Sequence, residues 1–442
     1  MAWIKYGYIL LPLSEWSRFR VRSLILRLLS PWIGASAGYR FWSEQIRLSR
    51  SIPPADRLLS PPVQQDSRPR LLLVDSCTPT PDRDSGSMDI FNSIKVFIAL
   101  GFRVSFIPES NLLYLGRYTE ALKQLGVECI HGPQVRSISD WLKGQGDDFD
   151  VVMLCRAPVA IRLSAAVRRH CPSAQLVFST IDLQFLRESR RLQRMVGVDS
   201  GEGILEKSEI REIKNADLSI VISEAEREIL SQRLPGAHIA LVPLVRDFGP
   251  FEATPFACRQ GLAFIGNYQH PPNVDAVLYF LDQIWPKIAS ELNDAEFHVV
   301  GSYVPSSIEE RKSDRVKVHG FIEDLDALLA KVRLTVAPLR FGAGLKGKVA
   351  SSLAQGVPSV LTSIAAEGMG LQNGRDVLIA DDPYAFADEV IRLYQDPLLW
   401  EAIAASGAKS VRKNFSLKVS QDAYAALLRG LGVLPTDSHS LH

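Results

Sequence analysis

The residues best suited to bind a charged ligand lie in a glycine- and lysine-rich stretch, residues 340–348, which reads RFGAGLKGK. The stretch follows an apolar run predicted as a strand at 334–338 and precedes a helical pattern that ends before Gly356. Free backbone N–H groups, the positive end of a helix dipole and the cations of Lys346 and Lys348 together favour a diphosphate. We therefore predict a phosphate-binding loop formed by residues that share this stretch: Arg340, Gly342, Gly344, Lys346 and Lys348.

Three further loops follow predicted strands, which is where open parallel sheets bind their ligands. The loop at 76–87 places Gly86 at the start of a helix, and the loop at 266–273 begins with Gly266 and Asn267. In the loop at 363–370, the carboxylate of Glu367 can accept hydrogen bonds from sugar hydroxyls. Ordinary turns and a solvated glutamate are the alternative interpretations, because Pro, Asp, Ser and Gly are common in turns.

From Arg70 onward, apolar runs of four to six residues alternate with stretches of helical periodicity, which is the pattern of βαβ units. A first set of strands is predicted at 71–75, 103–107, 127–130, 151–155, 176–179 and 218–222. A second set is predicted at 261–265, 296–300, 317–319, 334–338, 358–362 and 377–379. Such apolar strands indicate parallel sheets covered on both faces. The predicted fold class is α/β, with two Rossmann-like, doubly wound domains in tandem.

The chain divides into four predicted segments. Residues 1–68 form a basic, amphipathic extension with a proline-rich linker, since they carry ten basic and four acidic residues. Residues 69–248 and 249–416 form the two Rossmann-like domains, and residues 417–442 form a last helix, long enough to pack back across either domain, and a tail.

The extension contains an apolar stripe with two alternative interpretations. Arg20 and Arg27 flank this stripe, which consists of Leu24, Ile25, Leu28, Leu29 and Trp32, and further amphipathic rings are present at Trp3, Trp16 and Trp42. The extension is either an interfacial membrane helix or a helical arm that packs its stripe on the main body.

Composition excludes several classes of protein. A net charge of +1 is too small to hold a nucleic acid by charge alone, and no uncharged apolar stretch is long enough to span a bilayer. The cysteines form no CxxC pair and are predicted to be buried thiols: Cys77, Cys129, Cys155, Cys171 and Cys258. These features predict a cytoplasmic protein, with the extension at the inner face of the membrane as a further expectation.

The stretch Gly342-x4-Gly347-Lys348 also meets most of the phosphate-binding motif of P-loop NTPases. In that motif a Ser or Thr follows the lysine and holds Mg²⁺, whereas this chain has Val349, which offers no oxygen. A P-loop-like NTPase is therefore an unfavoured alternative.

Taken together, the loops resemble those of GT-B glycosyltransferases of family 4, the retaining group 1 type. The resemblance covers residues 70–420 and depends on motifs that lie at 338–348 with 353–358, 264–266 with 271–273, 79–87 and 182–188. It implies two domains facing a cleft, with a nucleotide-sugar donor on the C-terminal domain and a glycan or lipid-linked acceptor on the N-terminal one. Lys346, Lys348 and the glycines would then hold the diphosphate and stabilise the leaving nucleotide.

Under this resemblance the nucleotide-sugar is a substrate, no separate cofactor is expected, and no metal is required. The sequence contains no His/Cys cluster with metal-binding spacing. Transfer of the sugar to an acceptor is the expected activity.

The chain departs from the family pattern at two places. The family's paired glutamates, the second of which binds ribose, correspond to Ala343 and Ser351, and its histidine near the reacting sugar corresponds to Gln184. Asp182 is the ionisable group nearby, and we predict it as a catalytic residue on the acceptor side, with helix capping as the alternative role. The departures keep open a degenerate GT-B protein that binds a nucleotide-sugar or glycan without turnover.

Overall fold

The computed structural model describes residues 14–30, 36–49, 67–196, 203–250 and 254–435. Two helices, α1 (Glu15–Leu28) and α2 (Ala37–Ser49), precede the sheets. We refer to the described residues of this segment, 14–30 and 36–49, as the arm.

The first sheet has seven parallel strands in the order β3-β2-β1-β4-β5-β6-β7. Its strands are β1 (Arg70–Asp75), β2 (Arg103–Pro108), β3 (Glu128–Cys129), β4 (Val151–Cys155), β5 (Gln175–Ser179), β6 (Leu218–Val221) and β7 (Ile239–Leu241). The helices between them are α3 (Ser85–Ala99), α4 (Arg117–Gln124), α5 (Ile138–Gln145), α6 (Ala157–His170), α7 (Gln184–Val196), α8 (Ile204–Asn215) and α9 (Glu224–Arg233). We call this sheet and its helices the first domain.

The second sheet has six parallel strands in the order β10-β9-β8-β11-β12-β13. Its strands are β8 (Leu262–Ile265), β9 (Phe297–Val300), β10 (Val316–Gly320), β11 (Leu334–Ala337), β12 (Ser359–Leu361) and β13 (Leu378–Ile379). Its helices are α10 (Pro271–Tyr279), which continues into a π-helical turn (Phe280–Ile284), α11 (Trp285–Glu291), α12 (Ser306–Glu309), α13 (Leu325–Leu329), α14 (Gly347–Ala354), α15 (Ser363–Ala366), α16 (Pro383–Gln395) and α17 (Pro397–Asn414). We call this sheet and its helices the second domain.

The predicted fold class is confirmed, because both sheets are parallel and covered by helices on both faces. Along β1, Leu72 and Val74 pack into one apolar cluster, whereas Leu71 and Leu73 pack into another on the opposite face. All twelve predicted strands are present with small shifts of their ends. The prediction missed β7, an edge strand of three half-buried residues that gives no strong apolar signal.

The last helix, α18 (Leu417–Gly430), follows the second domain in sequence but packs against α3 of the first domain. The ring of Tyr424 lies 4.7 Å from that of Phe97, and Leu428 joins the same apolar cluster. Arg246 lies where the chain leaves the first domain, and Ser416 lies where it returns. A short parallel bridge between these two residues places the two connections side by side.

The arm packs on the first domain through a different face from the predicted stripe. Phe19, Leu26 and Trp42 form a buried cluster with Leu113, while Leu24 and Leu28 remain 59% and 66% exposed. The predicted stripe therefore does not provide the buried contacts, because Phe19, Leu26 and Trp42 do not belong to it. Trp3 and Trp32 lie outside the described residues.

The predicted burial of the cysteines is confirmed only in part. All five are free thiols: Cys155 and Cys171 are buried, Cys77 and Cys129 are half-buried, and Cys258 is exposed at the end of a short 3-10 turn. The prediction of a buried Cys258 is wrong because the residue lies before β8, outside the sheet. None of the helices in the described ranges has the length and apolar character needed to cross a membrane.

The packing of α18 gives a stability prediction. Tyr424→Ala removes a buried ring from the contact with α3, and we expect it to lower the free energy of unfolding by about 3 to 5 kcal/mol. Urea unfolding measures the change. Lys418→Ala, at an exposed position of the same helix, should change it by less than about 0.5 kcal/mol. Equal effects of the two substitutions would contradict this packing.

Candidate active site

A cavity of about 210 Å³ lies between the two domains, at the carboxyl ends of their strands. The first domain contributes polar lining residues that include Ser85, Gly86, Arg156, Asp182 and Arg187. The second domain contributes loop residues that include Gly266, Asn267, Gly342, Gly344, Lys346 and Lys348. The structure thus brings together eight of the residues predicted from the sequence: Gly86, Asp182, Gly266, Asn267, Gly342, Gly344, Lys346 and Lys348.

The glycine loop, which we define as residues 342–346, leads directly into the N-terminus of α14. Gly342 and Gly344 have φ angles of 151° and 66°, which residues with side chains rarely adopt. A Cβ on Gly344 would also lie 3.1 Å from the Cβ of Asp182 in the first domain. Glycine is required at this position for both reasons, and the loop closely approaches the opposite domain.

Lys346 of the glycine loop and Lys348 in the first turn of α14 are half-buried. The ammonium of Lys346 donates hydrogen bonds to the carbonyl oxygens of Gly344 at 2.5 Å and of Ala343 at 3.2 Å. Burial lowers the pKa of Lys346 to about 8 and also lowers the pKa of Lys348. Because burial disfavours these positive charges, an anionic ligand in the cavity would stabilise them.

Asp182 is positioned by a turn with unusual backbone geometry. Ile181, just before it, has a φ of 63°, and the carboxylate of Asp182 forms an ion pair with Arg187 of α7. The amides at the start of α7 are capped by other residues: Leu183 N–H donates to Glu226 at 3.1 Å, and Phe185 N–H donates to Glu209 at 2.9 Å. The Asp182 carboxylate therefore faces the cavity instead of capping the helix.

The capping carboxylates come from helices α8 and α9 and are themselves buried. Burial raises the pKa of Glu209 and of Glu226 to about 7 each, although the backbone N–H groups they accept act in the opposite direction. The Gly344 N–H and the Lys346 ammonium also lower the pKa of Glu226. Glu226 therefore lies where the Asp182 turn meets the glycine loop.

Three predicted residues do not line the cavity, and each has a partner within the protein. Arg340 donates to Asp275 at 2.9 Å and lies over the ring of Tyr279, and Ser351 donates to the Gly347 carbonyl at 3.0 Å within α14. Glu367 accepts two hydrogen bonds from Arg190 of α7, at 2.6 and 2.8 Å. Because Arg190 also donates to the Gly342 carbonyl, this ion pair joins the two domains beside the glycine loop.

The sequence analysis missed several lining residues. Arg156 directly follows β4, has a φ of 75°, and donates to Asp75 at 2.7 Å. Its position after a strand was a usable signal. Arg83 and His270 also line the cavity, and burial lowers the pKa of His270. Arg187 lies within a helix, where the sequence offers no comparable signal.

Known proteins share a sequence region and the overall fold with this chain. Residues 259–396 match the family described as glycosyl transferases group 1. Sucrose-phosphate synthase from Thermosynechococcus elongatus shares the fold with a TM-score of 0.62 and 15% identity, over 83% of this chain and 99% of that one. The chain has the GT-B fold, and residues 259–396 of its second domain are similar to the glycosyl transferases of group 1. The family resemblance expected from the motifs is confirmed.

Two further relatives of this GT-B protein are informative. HepE from Anabaena, solved in complex with UDP and glucose, has a TM-score of 0.61 and 14% identity, over 82% of this chain and 99% of that one. An uncharacterized 44.6 kDa protein in the cps region of Klebsiella pneumoniae is 23% identical over 180 residues. These residues are 38% of this chain and 46% of that relative, so the chain spans about half the length of the curated relative.

The described residues of this GT-B protein contain no group of three or more His, Cys, Asp or Glu side chains that could hold a metal ion.

The buried position of Glu226 gives a pH-dependent prediction. A carboxyl whose pKa folding raises from 4.5 to about 7 makes the folded state bind more protons, so the free energy of unfolding falls as pH rises through this range. Glu226→Gln removes this contribution. The unfolding free energy of wild type relative to the variant should fall by about 3 kcal/mol between about pH 4.5 and about pH 8.

Urea unfolding across this pH range measures the difference. Glu224→Gln, on the same helix but exposed and paired with Arg227, is the matched control and should keep the wild-type pH dependence. Parallel curves for Glu226→Gln and wild type would show that the buried carboxylate does not have this role.

Proposed function

We propose that the protein is a glycosyltransferase that moves a sugar from a nucleotide-sugar to a glycan or lipid-linked acceptor. The observation that carries the proposal is Lys346, a half-buried lysine that lines the cavity between the domains and lies in a positive-φ glycine loop at the N-terminus of α14. The GT-B fold and the group 1 match of residues 259–396 support a sugar transferase.

In this proposal the second domain holds the donor diphosphate. The amides of the glycine loop and the start of α14 donate to the phosphate oxygens, and Lys346 and Lys348 offset their negative charge. When the bond between the anomeric carbon and the diphosphate oxygen breaks, the same groups stabilise the added charge on the leaving nucleotide. The two lysines supply positive charge without a metal ion.

The first domain receives the acceptor. The acceptor oxygen forms the new bond to the anomeric carbon as the bond to the diphosphate breaks, and its proton passes to the carboxylate of Asp182, which lies across from Gly344. The ion pair with Arg187 orients this carboxylate. Retention of the anomeric configuration is part of the proposal and is supported by the group 1 resemblance.

Two similar proteins support a choice of donor and a biological role for the proposed transferase. HepE is solved with UDP and glucose, which makes a UDP-sugar the first donor to test. The Klebsiella relative from a cps region supports a role in polysaccharide biosynthesis. We accordingly place the protein in the cytoplasm, where nucleotide-sugars are the donors, with peripheral contact at the inner face of the membrane.

A second candidate function is binding of a nucleotide-sugar or glycan without turnover. Ser351 favours it, because its hydroxyl is engaged by the Gly347 carbonyl within α14 and offers the ribose less than the glutamate of other family members. The two functions differ in whether donor binding is followed by acceptor-dependent release of the nucleotide.

The donor site predicts a lysine-dependent thermal shift. UDP-, GDP-, ADP- and dTDP-sugars are tested without metal, and a ligand at about 100 times its Kd should stabilise the folded state by about 2.7 kcal/mol. Lys346→Ala should abolish the shift, because it removes the cation that favours the diphosphate. Lys331→Ala, at an exposed position of the same domain, should retain it. An equal shift in wild type and Lys346→Ala would contradict the site.

The proposed membrane contact depends on the outward face of α1. Leu24 and Leu28 are exposed there beside Arg20 and Arg27, which suits an anionic lipid surface. Wild type should float with phosphatidylserine-containing vesicles, and the double substitution Leu24→Ser/Leu28→Ser should reduce flotation. Leu398→Ser, which removes an exposed leucine at the start of α17, is the matched control and should float like wild type. Equal flotation of all three proteins would remove the proposal.

A further inference from the structure

Glu44, on α2 of the arm, contacts both domains at the rim of the cleft. Its carboxylate accepts a hydrogen bond from Arg83 of the first domain at 2.7 Å and another from the Tyr303 hydroxyl of the second domain at 2.7 Å. Arg83 lies in the loop after β1 and Tyr303 in the loop after β9, so both come from carboxyl ends of strands. One carboxylate from outside either sheet therefore joins the loop after β1, which lines the cavity, to the loop after β9, which lies behind the lining.

Neighbouring residues of α2 strengthen the contact with the second domain. Arg40 donates to the Val304 carbonyl at 2.6 Å, and the ring of Phe41 meets that of Tyr303 edge-on at 5.8 Å. On the first-domain side, Trp42 is buried against Leu113. The helix thus lies across the boundary between the domains and is anchored on both.

Tyr303 has backbone geometry that requires support. Its φ of 64° is strained for a residue with a bulky side chain, and such strain persists only where surrounding contacts hold it. The arm contacts the Tyr303 side chain through Glu44 and Phe41, and Arg83 of the first domain also interacts with its hydroxyl. The arm therefore stabilises a conformation that the loop would not favour by itself.

The strained loop is coupled to the predicted donor site. Ser302, next to Tyr303, accepts a hydrogen bond from Tyr268 N–H at 3.0 Å. Gly301 packs so closely on the loop after β8 that a Cβ there would lie 1.6 Å from the Gly266 carbonyl oxygen. A shift of Tyr303 would consequently move residues 266–268, which include Gly266 and Asn267 of the cavity lining.

Arg83 forms the corresponding link on the other side. It lines the cavity, donates to the Tyr118 hydroxyl at 3.1 Å, and lies over the ring of Phe321, which follows β10. The guanidinium of Arg83 thus contacts both domains. A hydrogen bond between charged groups is stronger than one between neutral groups, and Glu44 supplies such a bond to Arg83.

We propose that Glu44 is a positioning residue by which the arm clamps the two domains together and fixes the loops on both sides of the active-site cleft. It acts through Arg83 and Tyr303 and touches neither donor nor acceptor. This assigns the arm a role in the site itself, independent of any membrane contact.

Amide hydrogen exchange of the full-length protein tests the clamp without requiring a known substrate. In Glu44→Ala, exchange at residues 301–304 and 266–269 should be faster by about ten-fold, the effect expected for loss of a charged hydrogen bond. Tyr303→Phe should accelerate the same two segments. The double variant should exceed Glu44→Ala only slightly, because both changes remove the same contact.

Glu323→Gln is the matched control, since Glu323 also joins the two domains through an ion pair with Arg117, but one that is exposed. It should leave exchange in both segments unchanged. Unchanged exchange in Glu44→Ala would overturn the proposal. A uniform acceleration that includes β1 and β4 would also overturn it, because Glu44 would then support stability in general.

Once a donor is identified by the thermal shift, a second readout applies. Glu44→Ala should raise the KM for the donor several-fold and leave kcat within about two-fold, because a positioning residue affects loop order more than the chemical step. A loss of kcat with unchanged KM would contradict the positioning role. If no donor binds wild type, the exchange result still decides the clamp.

Discussion

The arrangement of the cleft depends on close approach between the two domains at three glycines. Added Cβ atoms would lie 3.1 Å from Asp182 at Gly344, 2.0 Å from the Ser85 hydroxyl at Gly347, and 2.3 Å from the Ser223 hydroxyl at Gly368. Only residues without a side chain allow the polar loops of the first domain to come this close. The protein that surrounds the glycine loop lowers the pKa of Lys346, so an anionic ligand would stabilise its charge.

A buried ion pair fixes the other side of this contact. Arg246, in the connection between the domains, donates to Asp89 of α3 at 2.6 Å, and both side chains are almost completely buried. Breaking such a pair is strongly destabilising because one charge would remain buried without a partner. Arg246 also packs against Gly347, so the ion pair positions the start of α14 next to the first domain.

The strands and the phosphate loop could be predicted because their signals are local. Apolar runs such as Leu71–Leu73 are buried on both faces of a sheet, and the carboxyl-end rule directs attention to Gly86, Gly266 and Lys346. The capping of the Asp182 turn could not be predicted, because Glu209 and Glu226 come from later helices, 24 and 43 residues away for the bonds to Phe185 and Leu183. The packing face of α1 also depended on tertiary contacts with Leu113, which its helical periodicity does not reveal.

The arm lies outside the region that matches the family, residues 259–396. Its Glu44 nonetheless contacts Arg83, which lines the cavity, and Tyr303, whose loop packs on the loop after β8. In our proposal the sheets position these loops and the arm restrains them.

The most direct measurement is amide hydrogen exchange of wild type with and without the nucleotide-sugar that gives the largest thermal shift. The account predicts protection concentrated at residues 342–349 and 264–268, where the glycine loop, the start of α14 and the loop after β8 meet the donor. Protection confined to the first domain, or no protection at these residues while the nucleotide is still released, would contradict the central claim that this cleft holds the donor diphosphate.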